Sequence, residues 1–121
     1  MSAALGGRPR EGGGVLMAKF VFAYHGGAVQ ATEEEQAAAM AAWTAWFTAI
    51  GPAIVDAGNP VGQAKTVGSD GSVTDGGGPN PVTGYSVISA DSLDAAAEAA
   101  KGCPILAGGG TVEVSEMIEL M

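Results

Sequence analysis

Positive charge is scarce in this chain. Five Lys and Arg residues stand against thirteen Asp and Glu, for a formal net charge of −8. Arg8 and Arg10 fall within the first sixteen residues, which leaves Lys19, Lys65 and Lys101 for the rest. A chain this acidic offers no electrostatic footprint to a phosphate backbone, and anionic membrane surfaces repel it on the same grounds. Neither nucleic acid nor a membrane is expected as a partner. Cysteine is scarcer still. Cys103 stands alone, so no intramolecular disulfide can form, and a reducing compartment suits it. It lies between Gly102 and Pro104 with no histidine or second thiol nearby in sequence, so it reads as an inert, buried side chain. One histidine, His25, and one cysteine far from it make no recognisable metal-ligand set. No apolar run is long enough to span a bilayer, and LGGRPREGGG breaks up any signal-peptide core. The expectation is a cytoplasmic protein without metal or cofactor.

What the chain does have is glycine, alanine and one strong helix. With 121 residues it holds one domain. Residues 1–16 are rich in Gly, Pro and Arg and read as a disordered extension. Residues 17–121 read as the folded domain, and Met17 as a candidate translational start. Thr32 followed by Glu35 fits a capping box, in which hydroxyl and carboxylate satisfy the free backbone N–H groups of a helix start. Glu33, Glu34 and Glu35 suit the positive end of the helix dipole. Met40, Trp43, Phe47 and Ile50 recur at three- and four-residue spacing and predict one apolar stripe, with Trp46 at its flank. Gly51 and Pro52 end the helix.

Strands are predicted on either side of it. In 18–25, Phe20, Phe22 and Tyr24 alternate with Val21, Ala23 and His25, which places apolar residues on both faces. Further strands are read at 53–57 and 84–90, a hairpin at 64–67 and 72–74 around Ser69-Asp70-Gly71, and a last strand at 111–118. Residues 75–81, DGGGPNP, read as a loop. Asp91 or Ser92 caps a second helix whose face of Leu93, Ala96, Ala97 and Ala100 is small enough to lie close to a sheet. The order is β-α-β, one or two short strands, then β-α-β. It predicts an α+β fold of the ferredoxin-like kind, with an antiparallel sheet and two helices on one face. Strands apolar on both faces predict that a second copy of the chain covers the other face, as a homodimer.

Several stretches resemble one family. MAKFVFAY from Met17, AAWTAWF with GPAIVDAGNP, the Asp70–Gly76 segment, GYSVISADSLDAAAEAAKGCP and GGTVEV look like the YCII-related (DGPF) domain family, over 17–121. The resemblance implies a ferredoxin-like fold that dimerises into an α+β barrel, similar to the muconolactone isomerase group. Some such proteins carry a His and Asp pair proposed as catalytic, and some are encoded beside extracytoplasmic-type sigma factors. This chain departs from the pattern. Its DGPF segment is reduced to Asp75-Gly76-Gly77-Gly78, and the Trp43 region stands where those proteins carry the helix histidine.

Candidate chemistry then rests on few residues. His25 is the one side chain whose ordinary pKa lies near neutrality, and it would act as a general base with Asp56 or Asp75 orienting its ring. Trp43, Trp46, Asn59 and Tyr85 are the expected ligand-binding residues around it. GGGPNP and GGGT lack the Lys-Ser/Thr of a phosphate loop and the spacing of a dinucleotide fingerprint. Ser86 and Ser89 have no triad around them. Three readings remain open: a dimeric barrel binding a small organic molecule, a cofactor-free isomerase, lyase or hydrolase using His25, and a regulatory module linked to a sigma-factor system.

Overall fold

Alternation along the first strand decides the architecture. In the computed structural model, which describes residues 17–119, Phe20, Phe22 and Tyr24 are all buried on one side of strand β1 (Ala18–His25). The expected N-terminal extension, residues 1–16, lies outside the described residues. Strand β1 is central. It pairs antiparallel with β5 (Val82–Ala90) on one side and β6 (Thr111–Glu116) on the other. The short strand β2 (Ile54–Asp56) adds to β5, giving the order β2-β5-β1-β6. Strands β3 (Lys65–Val67) and β4 (Val73–Asp75) form a separate hairpin, exposed on both sides.

Register carries the pattern across the sheet. Phe22 lies opposite Ser86 and Val114, and Phe20 lies opposite Ile88 and Glu116, so these side chains share one face. Both helices pack there, α1 (Glu33–Ile50) through Trp46 and α2 (Leu93–Ala100) through Ala96 and Ala100. The protein is thus α+β, two helices against an antiparallel sheet, compatible with a ferredoxin-like fold. The opposite face carries Val21, Ala23, Tyr85 and Val87, half-buried, together with Lys19, Ser115 and Glu113.

The helix caps follow the predicted chemistry. Thr32 Oγ1 accepts from the Glu35 N–H at 3.0 Å, and the Glu35 carboxylate accepts from the Thr32 N–H at 3.2 Å. Ser92, rather than Asp91, caps α2 by accepting from the Ala95 N–H. The apolar stripe of α1 needs correcting. Trp46, expected at the flank, is the one buried residue of the helix, whereas Met40 is 71% exposed. The cause is bulk. Alanines let α2 lie on the sheet, while Trp43, Trp46 and Phe47 hold α1 away from it, since helix separation follows the side chains at the contact. The two helices are tied by the Trp46 indole N–H, which donates to the Ala99 carbonyl at 3.1 Å. The segment after α2 contains a 3₁₀ turn at Pro104–Gly108 that buries Ile105. Strand β5 begins at Val82, two residues before the predicted start.

Candidate functional site

The stand-off of α1 leaves a cleft of about 430 Å³ between the helix and the β2-β5 edge of the sheet. One wall is helical, formed by Gln36, Ala39, Met40, Trp43 and Phe47. The other is the chain after β2, residues 57–60, with Thr83 and Tyr85; Tyr24 and Gly84 lie between the walls, and Gln30 and Ile105 complete the lining. Residues 57–60 stay against β5 because the Tyr85 N–H donates to the Asn59 carbonyl and the Val61 N–H donates to Thr83 O. Only glycine can occupy position 58. Its φ is +75°, and a Cβ there would fall 1.7 Å from the Tyr85 carbonyl oxygen. Gly84, opposite Tyr24, keeps the floor low, because a Cβ there would meet Asn59 O at 3.2 Å and the Tyr24 ring at 3.3 Å.

An aromatic group lines the helical side. The Tyr24 and Trp43 rings meet edge-on at 5.1 Å, and Trp43 is tilted against Phe47 at 5.8 Å. Trp46 supports them from behind the lining, edge-on to Trp43 at 5.8 Å and stacked on Phe22 at 6.2 Å. Beneath, the Tyr24 hydroxyl donates to Ser86 Oγ at 2.7 Å, and Ser86 donates to the Ala57 carbonyl at 2.7 Å. This relay joins β1, β5 and the wall after β2. Burial pushes the Tyr24 phenol up to about 12, with the Ser86 bond pulling weakly the other way, so it stays a neutral donor. Behind the core, burial likewise pushes the Cys103 thiol up to about 11, which suits an inert side chain.

Of the expected ligand residues, the cleft brings Trp43 and Asn59 together and is bordered by Tyr85, whose strand position faces away from the helices, and it leaves Trp46 as their support. The expected catalytic group is not assembled. His25 lies on the sheet face opposite the helices, 7% exposed, outside the cleft. Its Nε2 is 3.1 Å from Glu113 Oε1, and its Nδ1 faces the Asn80 and Pro81 carbonyls at 3.0 and 3.3 Å. The carboxylate beside the ring is therefore Glu113, which corrects the expectation of Asp56 or Asp75. Asp56 instead accepts from the Gly58 N–H at 2.9 Å, closing a local turn, and Asp75 pairs with Lys65 across the exposed hairpin. Among the described residues no group of three or more His, Cys, Asp or Glu side chains is placed to hold a metal ion, and no helix is long and apolar enough to cross a membrane.

Sequence reasoning missed Tyr24, Phe47, Met40, Gln30, Gln36 and Gly84 as cleft residues. Tyr24, Phe47 and Met40 were legible as apolar positions, but nothing in their spacing says that the helix bearing two of them stands clear of the sheet. No protein-family model matches the chain, and a search of curated proteins finds no match either.

Proposed function

We propose that this protein binds a small organic molecule in the cleft between α1 and the β2-β5 edge, as a homodimer of the YCII-related, ferredoxin-like kind. The observation that carries the reading is the cleft itself. Its 430 Å³ falls within the range of sites for small molecules, roughly 300–1,000 Å³, and aromatic rings line it beside a few polar groups. The rings rest on a hydrogen-bonded floor, so the site is formed before a ligand arrives.

Catalysis by His25 has less support. Both ring nitrogens already face acceptors, and the ring lies outside the cleft, where it ties the loop before β5 to β6. Dimerisation is supported by the sheet face away from the helices, where Val21, Ala23 and Val87 form a half-buried apolar strip.

A thermal-shift screen of small metabolites separates the readings, since a ligand of the native state raises apparent stability with occupancy. The full chain, Trp43→Ala and His25→Ala are compared. A dose-dependent shift that survives His25→Ala and is lost in Trp43→Ala is expected. Loss in His25→Ala alone would transfer the site to the other face and revive the general-base reading. In the same preparations, sedimentation equilibrium should give a dimer that Val87→Glu dissociates; a monomeric wild type would remove the homodimer from the proposal.

A further inference from the structure

Charge is missing from the cleft's lining. In a chain with thirteen acidic residues, none of the described residues bordering it is Asp, Glu, Lys, Arg or His. An ionic ligand would have to leave water for a site that offers no counter-charge, which is costly unless the charge is paired. An anion would also meet the field of a chain whose net charge is −8. Aromatic surface, by contrast, is abundant, and flat rings gain most from edge and face contacts with Trp43, Tyr24 and Phe47.

The polar groups that remain are neutral and unequally used. The Gln30 side-chain N–H donates to Ala28 O at 3.1 Å and that of Gln36 to Gln30 O at 3.2 Å, which leaves both amide oxygens without a partner among the described residues. The indole N–H of Trp46 is taken by Ala99, whereas that of Trp43 has no partner among the described residues. The side-chain groups left unused among the described residues thus include the Trp43 N–H, both glutamine oxygens and the Asn59 amide, all uncharged.

Resting on the binding function proposed above, we infer that the ligand is an uncharged, flat aromatic or heteroaromatic molecule carrying a hydroxyl or amide group that both donates and accepts. The Trp43 N–H serves its acceptor, a glutamine oxygen serves its donor, and the aromatic group selects against saturated rings of equal size.

Isothermal titration of the full chain with matched fused-ring probes tests this. The set is 2-naphthol, its anionic relative 2-naphthoate, the cation N-methylquinolinium, the saturated decahydro-2-naphthol, and naphthalene. We expect 2-naphthol to bind at least about tenfold more tightly than either ion or the saturated alcohol, the factor that follows from about 1.4 kcal/mol. Trp43→Phe, which keeps a ring and removes the N–H, should weaken 2-naphthol by about two- to tenfold, the range for one net hydrogen bond, and leave naphthalene unchanged. Met40→Glu, at an exposed rim position that tolerates charge, should weaken 2-naphthol and naphthalene alike. Equal or tighter binding of naphthoate, N-methylquinolinium or decahydro-2-naphthol would overturn the inference and leave the binding function standing. No binding by any probe would likewise overturn the inference, while the binding function itself stands or falls on the metabolite screen above.

Discussion

Ser86 does the most for its size. It accepts from Tyr24, donates to Ala57, and is fully buried. Ser86→Ala leaves a phenol and a carbonyl facing a methyl group, and an unsatisfied buried partner costs about 1–3 kcal/mol. Tyr24→Phe removes the donor at the other end and leaves the Ser86–Ala57 bond intact, so it should cost less. Chemical denaturation of the single and double variants measures this. We expect the double variant to lose less than the two single losses added together, because both remove the same bond. Additive losses would show that the relay is not a unit. His25 teaches a different lesson at this scale. Its partner Glu113 is 88 residues away, so no reading of local spacing could pair them; Asp56 was attractive at a predicted strand end and Asp75 at the start of the glycine loop.

The helices differ in what positions them. The start of α1 is held by its capping box and by little else, since its first two turns expose almost every side chain. Thr32→Ala should therefore cost about 1 kcal/mol, the usual worth of a cap, and fray the helical wall of the cleft. Amide hydrogen exchange from Gln36 to Met40 should quicken, while Trp46, anchored to Ala99, should hold its protection. Unchanged exchange over that first stretch in the variant would deny the cap this role. Here the sequence was most readable. Alternation placed β1, the Thr32–Glu35 pair placed the start of α1, and Gly51-Pro52 its end. What could not be read was height above the sheet. A stripe of Met, Trp and Phe looks the same whether it lies flat or leans away, and the difference, set by tryptophan volume against alanine volume in α2, is the cleft.

For the molecule as a whole, two buried acids set an alkaline limit. Tyr24 rises from 10.0 to about 12 and Cys103 from 9.0 to about 11, both through burial. A folded-state pKa above the unfolded one means that the unfolded chain releases its proton first, so the stabilisation is complete below the unfolded value and is lost as pH climbs. Melting temperature should therefore fall from about pH 9 for Cys103 and from about pH 10 for Tyr24, continuing toward pH 11 and 12. Circular dichroism melts from neutral pH up to about pH 12 check it, across the window those two shifts define. Tyr24→Phe should flatten the upper part of the curve, and an unchanged slope would remove Tyr24 from the account. The same burial keeps Cys103 closed to alkylating reagents at neutral pH while the fold is intact.

The borders of the sheet carry a consequence for crowded solutions. One border is β2, three residues long and followed by Pro60; the other is β6, which carries Glu113 and Glu116. A strand this short offers few free backbone groups to a stranger, a proline offers none through its nitrogen, and like-charged carboxylates meet when two β6 borders approach. Sheet cannot readily grow onto sheet from either side. At high concentration the four-stranded sheet is thus guarded against fibrillar growth, and copies that do associate are steered away from its borders.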